Sequence, residues 1–430
     1  MKVAIIGAGA AGCFCAVNLK RMMPSADITV YERGNRPMAK LAITGGGRCN
    51  LTNTFRDVTD LAQVYPRGSR LMQRLFRQFS PEDTQAWWRE AGVELVVQDD
   101  QCIFPRSQDA IQVVGTLARG MREAGVKLLT GRRVREVSPG SVCCGSTAAY
   151  QTKGCEGTTS GNTACQTGDS EATTDTEHYD AIVVTTGGSP RADGLGFLSP
   201  LGLDIEPPVP SLFALNTGDD GLHALSGTVV ADTPVAIAGT RLKAEGPLLI
   251  THFGMSGPAI LRLSSYGARH LAEQDYRVTL SVNWMQGQNE EQTRHWLEGN
   301  AKSERRVASL HPQHLTQRHW EYLLQLASIP DTRRWDSLNR KELNRLVAVL
   351  TADLYPTSGR RQYKAEFVTC GGIALRNINP NTLALKNHPN IYLAGEVLDV
   401  DAVTGGFNLQ AAWTMGYVVA RSIAQAHHIN

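Results

Sequence analysis

No CxxC pair occurs among the nine cysteines of this 430-residue chain: Cys13 and Cys15 are two apart, and Cys143 and Cys144 are adjacent. This argues against a thioredoxin-type redox motif and a paired-CxxC zinc site. Scattered free thiols suit a reducing compartment. No apolar run approaches the roughly 18 residues of a membrane span, so no membrane partner is expected. No signal peptide is apparent, because Met1-Lys2 runs straight into an apolar stretch that ends at Gly7. A cytoplasmic protein is the expectation. Neither sign of charge dominates, with 43 Lys+Arg against 41 Asp+Glu and a net +2. No Lys/Arg run stands out, so no nucleic-acid partner is expected. Internal repeats and a second GxGxxG are also absent.

What is present has the composition of a soluble globular protein, 42% hydrophobic and 20% charged. The length implies two or three domains. Residues 2–6 (KVAII) read as a buried strand, followed by a glycine turn, a helix to about Met22, and a second strand at 27–31 (DITVY). This is a βαβ unit of roughly 30 residues. Ser80-Pro81-Glu82-Asp83 reads as a helix start. Ser107 is a candidate cap for another helix running to Glu123. Residues 126–137 read as strands. Residues 138–178, rich in Gly, Ser, Thr and Cys, read as an exposed hairpin insertion. Its cysteines 143, 144, 155 and 165 lack metal-ligand spacing. Residues 180–186 (DAIVVTT) form another buried strand, ending at Thr186-Gly187-Gly188. Short strands dominate 191–265 and helical periodicity 268–350, where Trp284, Trp296, Trp320 and Trp335 read as packing residues. Strands and glycines return after 360.

The first chemical motif is Gly7, Gly9, Ala10, Ala11 and Gly12, with Glu32 and Arg33 at the end of the second strand. Gly7 permits the tight turn, Gly9 admits a pyrophosphate, and Gly12 lets helix and strand pack. The helix N-terminus offers unpaired N–H groups to phosphate. Glu32 follows Gly12 by 20 residues and can accept from both ribose hydroxyls. FAD and NAD both fit this half.

The C-terminal region favours FAD. A strand at 391–394 ends in Gly395-Glu396, then come Asp399 and Asp401, then Gly405, Gly406, Phe407, Asn408 and Leu409 opening a helix. A carboxylate there can hold ribityl hydroxyls, and the helix end can stabilise negative charge on a flavin. The other reading of Glu396 and Asp399 is turn and cap formation. A third motif is Lys40 with Gly45, Gly46, Gly47, Arg48, Cys49 and Asn50. Its glycines can wrap N–H groups around phosphate, and Arg48 is a candidate pyrophosphate partner. Cys49 is either a redox thiol or a small buried filler. His252 lies in THFGMSGP, where Ser256 reads as an N-cap and Pro258 as helical, and is the candidate acid or base, or else a packing residue. Arg106 is either an anion anchor or an ordinary surface residue. No metal site is expected.

The runs AKLAITGGGRCNLTN, THFGMSGPAIL (251–261) and VTCGG…IYLAGEVLDVDAVTGGFNLQAAW resemble a bacterial flavoprotein family. It is described as NAD(P)/FAD-dependent or aminoacetone-oxidase-like FAD-binding enzymes, some of them linked to bile-acid reduction. The resemblance implies an α/β fold with a Rossmann-like FAD domain of glutathione-reductase type. It implies residues 1–190 as the first part of that domain, 191–265 as a β-rich inserted domain, 266–357 as a mainly helical inserted domain, and 358–430 as the second part. It places FAD on Gly7, Gly9, Gly12, Glu32, Lys40, Arg48, Gly188, Gly395, Glu396, Asp399 and 405–409, with Val134 meeting adenine through its backbone. Two segments depart from the family pattern: the long 138–178 insertion and SPRADGLGFLSP after Gly188.

The expectation is an FAD-dependent oxidoreductase moving hydride between flavin and a small organic substrate, with NAD(P)H docking transiently as electron partner. The alternatives are an oxidase of small amines or aminoketones that releases hydrogen peroxide, an RNA-modifying flavoprotein, and a non-catalytic redox-sensing FAD binder.

Overall fold

The computed structural model describes residues 1–146, 174–189, 191–361 and 368–429. A five-stranded parallel sheet runs in the order Ile391–Leu393, Ala181–Val184, Lys2–Ile6, Asp27–Tyr31, Lys127–Leu129. Its central strands are continuous apolar runs because both faces are covered: Val3, Ala4, Ile5, Ile182, Val183 and Val184 are fully buried.

The helix Ala10–Met22 returns along the sheet and meets the C-terminal helix Phe407–Ile429. A Cβ on Gly416 would stand 2.7 Å from Ala11 O, so glycine is what lets these helices approach. Phe14 packs against Trp87, Trp88 and Trp413 at the helices' far side. The helix Pro81–Glu90 begins with a capping box: Asp83 N–H donates to Ser80 Oγ, and Ser80 N–H donates to Asp83. The helix Ala110–Glu123 starts later than Ser107 would place it. Gln108 takes a left-handed φ of 53°, and the cap is Asp109, which accepts from Ile111 N–H at 2.8 Å. Ser107 Oγ instead donates to Gln112.

Arg132–Ser138, Ser141–Ser146 and Thr174–His178 form an antiparallel three-stranded sheet. The interior of the expected 138–178 insertion, residues 147–173 with Cys155 and Cys165, lies outside the described residues.

A second hydrophobic core lies between residues 213 and 355. Its eight-stranded antiparallel sheet runs Val229–Val230, Leu248–Thr251, Gly254–Ser256, Leu215–Thr217, Asp353–Arg360, Thr279–Val282, Val235–Ile237, Lys243–Ala244. Helices Glu290–Asn300, Gln317–Leu326 and Arg340–Ala352 pack beside it, and Trp284, Trp320 and Trp335 are fully buried there. The strands Ile205–Ser211 and Val368–Ile373 pair antiparallel at the junction of the two cores. Among the described residues, no helix is long and apolar enough to cross a membrane.

Candidate functional site

A cavity of about 1410 Å³ opens at the carboxyl ends of the parallel strands, where an open α/β sheet binds its ligands. It exceeds the range of roughly 300–1,000 Å³ usual for small-molecule pockets, which suits an extended dinucleotide.

The glycine turn forms its floor, and its three glycines have different reasons to be there. Gly7 has φ 105°, and a Cβ on it would stand 2.5 Å from Thr185 O. A Cβ on Gly12 would stand 2.1 Å from Gly7 O. These two are demanded by the protein's own packing. Gly9 is not: its φ of −89° suits any residue, and the nearest atom to an added Cβ is 4.0 Å away. The space beside Gly9 is open to a ligand. Gly9 caps the helix Ala10–Met22 without a side-chain hydrogen bond, and no acid lies in the first turn. The helix end therefore presents unpaired N–H groups and a positive dipole end to that space. These features fit the pyrophosphate of FAD.

Glu32 is held beside this floor. Its Oε2 accepts from Ala8 N–H at 3.0 Å and its Oε1 from Gly34 N–H at 2.7 Å. Each oxygen keeps acceptor capacity for a ribose hydroxyl. On the other side, Glu396 Oε1 accepts from Thr369 N–H at 2.7 Å, and Oε2 pairs with Lys40 Nζ at 2.9 Å. Gly188 is confined by this arrangement, since a Cβ there would stand 2.4 Å from Thr369 Oγ1. The wall continues onto Leu212, Ser256 and Leu261 and onto Val368.

Gly7, Gly9, Ala10, Ala11, Glu32, Arg33, Lys40, Gly45, Val134, Thr186, Gly187, Gly188, Gly395, Glu396, Asn408 and Leu409 all line the cavity. The other candidates do not. Gly12 faces inward. An added Cβ on Gly46 or Gly47 would meet nothing within 4 Å. The Arg48 guanidinium lies 4.7 Å from the Phe104 ring centroid, and its Nε donates to Gly45 O. Cys49 is fully buried, and burial pushes its thiol up to about 12 against a lowering hydrogen bond from Thr44. A thiol held protonated in this way fits the filler reading.

The remaining candidates join the chain ends. Asn53 Nδ2 donates to Gly405 O at 3.1 Å, and Tyr65 OH donates to Phe407 O at 2.7 Å. Gly406 lies so close to the third motif that an added Cβ would stand 2.4 Å from Thr52 O. With its amide oriented by these partners, Asn50 accepts from Gly406 N–H at 3.2 Å. The Phe407 ring packs edge-on against Phe55 and Tyr65.

Asp399 turns from the cavity to the second core, where Arg269 donates to it at 3.0 Å. Beside it, Arg67 donates through two nitrogens to the fully buried Asp401, Nε at 2.6 Å, and through Nη1 to Ser265 O. Burial raises the Asp401 carboxyl, and Arg67 and Ser211 oppose that rise. Cys370, Asp399 and Asp401 form the one grouping with metal-like spacing among the described residues, and Arg67 and Arg269 already neutralise it.

His252 is exposed at a hairpin tip, its ring 5.0 Å from that of Phe253, and does not line the cavity. Arg106 pairs at 2.8 Å with Glu94 on the surface. Ser256 is not a helix cap but the last residue of a strand, and Gly257 holds the cap position. Its φ of 88°, and the 2.7 Å that would separate an added Cβ from Pro247 O, exclude a side chain there.

Motif reading did not identify Leu212, Ser256, Leu261 or the 193–197 stretch as wall residues. Leu212 lies outside the motifs, whereas Ser256 and Leu261 sit in the THFGMSGPAIL run, where a strand end and the helix Pro258–Tyr266 bring them to the cavity. The 193–197 stretch lies in a run whose leucines, 195, 198 and 201, are spaced three apart.

A family model described as the HI0933-like protein Rossmann domain matches residues 1–422. The chain is 25% identical, over 99% of both chains, to a 3-dehydro-bile acid delta(4,6)-reductase of Clostridium scindens. It is 26% identical, over 98% of both chains, to a ribosomal RNA dihydrouridine synthase of Escherichia coli. Among solved structures, a 3-ketosteroid delta1-dehydrogenase from Sterolibacterium denitrificans matches with a TM-score of 0.48 at 12% identity, covering 99% of each chain. The family match runs from Met1 to Ser422 and takes in both cores: the chain belongs to the HI0933-like family of FAD-binding Rossmann oxidoreductases.

Proposed function

We propose that this protein is an FAD-dependent reductase of a carbon–carbon double bond conjugated to a carbonyl, with NAD(P)H as its electron source. The observation that carries this reading is the extent of the cavity. It runs from the glycine floor to an apolar wall at Leu212, Leu261 and Val368, so a flavin-sized group can lie beside an organic substrate. The names of two relatives support the bond type. One is a Δ4,6-reductase of a 3-dehydro-bile acid. The other makes dihydrouridine, in which the double bond beside a uracil carbonyl is saturated.

Bound FAD supplies the hydride chemistry. The chain's residues hold and orient it. The N-terminus of Ala10–Met22 would hold the phosphates and Glu32 the adenosine ribose. Glu396, fixed by Thr369 N–H and Lys40, would hold ribityl hydroxyls. The start of the helix Phe407–Ile429 turns its positive dipole end toward the cavity, which Asn408 and Leu409 line. The apolar wall excludes water from the substrate face.

The test is anaerobic absorbance of FAD-loaded protein. NADH or NADPH should bleach the flavin band near ~450 nm, and an α,β-unsaturated ketone should restore it. Reduction by an amine, with peroxide formed in air, would favour the oxidase instead. A flavin that stays oxidised with every donor would overturn the reading. The full-length likeness to a ribosomal RNA dihydrouridine synthase favours one second reading, in which the double bond belongs to a uracil in RNA. Restoration of the band by ribosomal RNA, and not by the ketone, would establish it.

A further inference from the structure

The segment Ala192–Leu201, which departs from the family pattern, is a 3-10 helix of ten residues. Such a helix repeats every three residues, so each third residue shares a face. Leu195, Leu198 and Leu201 occupy one face and are buried in the first core at 2, 2 and 4% exposure. Gly194 with Phe197, and Asp193 with Gly196, occupy the other two faces, and all four line the cavity. The segment is thus an anchored wall, with leucines inward and a ring and two glycines toward the ligand space.

Its position identifies what it covers. The floor at Gly9 takes the pyrophosphate, and Glu32 takes the ribose. Beyond Glu32 the sheet ends at Lys127–Leu129, and the chain passes directly into Arg132–Ser138 of the three-stranded sheet, whose residues 132–135 line the same cavity. The segment packs along that strand. A register shift between Val134 and Glu136 interrupts the ladder there. What extends past the ribose of FAD is adenine, a flat base whose faces need an apolar plate. Two aromatic side chains line this part of the wall, Tyr31 and Phe197, and Tyr31 is fully buried with its hydroxyl on Tyr179, which leaves Phe197 as the more exposed ring. It is half-buried against the first core, which the leucines already fill. Gly196 has no positive φ, and an added Cβ would meet nothing within 4 Å, so the protein's own packing does not require glycine there.

We propose that Ala192–Leu201 is the adenine-covering wall of the site, with Phe197 stacking on the base and Gly196 leaving the room that the base occupies. The inference rests on the FAD reading above.

Two variants test it, Phe197→Ala and Gly196→Leu, with Phe197→Tyr as the conservative control. FAD affinity is read by flavin fluorescence quenching, and ADP affinity by calorimetry, because ADP carries the adenosine half alone. The expected result is a parallel loss for FAD and ADP of roughly 10-fold in Phe197→Ala and a larger one in Gly196→Leu. Phe197→Tyr should stay within about 2-fold of the parent. The ligand-free unfolding midpoint and the visible spectrum of flavin at saturating FAD should be unchanged in all three. Unchanged ADP affinity in Phe197→Ala and Gly196→Leu would overturn the proposal, as would a fall in the ligand-free midpoint that accompanies the loss. A parent protein that binds no FAD would instead overturn the FAD reading and this inference together, so the two failures are distinguishable.

Discussion

Arg67 reaches across 334 positions of sequence to place two guanidinium nitrogens on the carboxylate of Asp401. Arg67 and Asp401 belong to the first core's side of the junction, while the groups that complete the pair's hydrogen bonding are Ser211 Oγ, at the end of a junction strand, and Ser265 O, in the second core's helix Pro258–Tyr266. Asp399, two residues before Asp401, is tied to Arg269 in the same direction. The loop that follows Glu396 is thereby fixed to both bodies at once.

Arg67→Ala leaves the Asp401 charge buried and unpaired, and should cost about 3–5 kcal/mol of stability. Denaturant unfolding measures this. The double variant Arg67→Met, Asp401→Leu removes both charges and should recover most of the loss. A double variant no more stable than Arg67→Ala would show that the pair's hydrogen bonds, not its charges, hold the junction.

Gly7 and Gly9 should separate folding from binding. Gly7→Ala forces a side chain onto Thr185 O at a positive φ, and should destabilise by about 1–3 kcal/mol. At Gly9 an added Cβ stands no closer than 4.0 Å to a protein atom, so Gly9→Val should lower stability by only about 1 kcal/mol, through the altered cap. It should nevertheless cut FAD affinity by more than about 10-fold, because the branched side chain stands where the pyrophosphate approaches. Thermal unfolding without ligand and flavin fluorescence titration separate the two effects.

His319 should make the second core sensitive to acid. Its ring is fully buried against Trp284, neither nitrogen has a hydrogen-bond partner, and burial, with His314 adding to it, lowers its pKa to about 4. Between pH 4 and 6.5 the unfolded chain binds a proton that the folded chain refuses. Stability is therefore retained above about pH 6.5 and falls by about 3 kcal/mol as pH drops toward 4. Asp353, whose carboxyl burial raises, acts with the opposite sign just above the ordinary carboxylate range. Unfolding midpoints across this window, in the parent and in His319→Phe, measure the difference. A slope unchanged by the substitution would assign it to other groups.

Cys49 should be dispensable for electron transfer. With its thiol pushed up to about 12, it stays protonated at neutral pH. Cys49→Ala should keep the rate of flavin bleaching within about 2-fold, and iodoacetamide at pH 8 should leave Cys49 unmodified in the folded protein. Mass spectrometry of the labelled protein checks this.

Local physics made part of the molecule legible in sequence. The glycine turn and the Ser80 cap involve residues within a few positions of one another, and Glu32 closes the same βαβ unit. Ser107 and Ser256 misplaced helix starts because a left-handed Gln108 and a left-handed Gly257 moved each boundary by one or two residues, and side-chain type alone does not report φ. The Arg67–Asp401 pair was not legible, because nothing near either residue marks the other. His252 stood in a motif with glycines and a proline, yet the register of its hairpin leaves it at the tip. The leucines at 195, 198 and 201 carried a period of three that could have marked the wall, but the segment fell in the 191–265 region read as short strands.

The contact of Gly406 with the Thr52 backbone and the Asn50 side chain has a consequence for assembly of the protein during synthesis. The glycine turn, Glu32 and Lys40 leave the ribosome early, whereas residues 394–415, which close the other side of the cavity, follow more than 350 positions later. An early flavin encounter would meet a half-built pocket lacking Glu396 and the start of the final helix. The cavity is complete only once that helix has docked along Ala10–Met22, so the late segment serves as the latch on a floor built early.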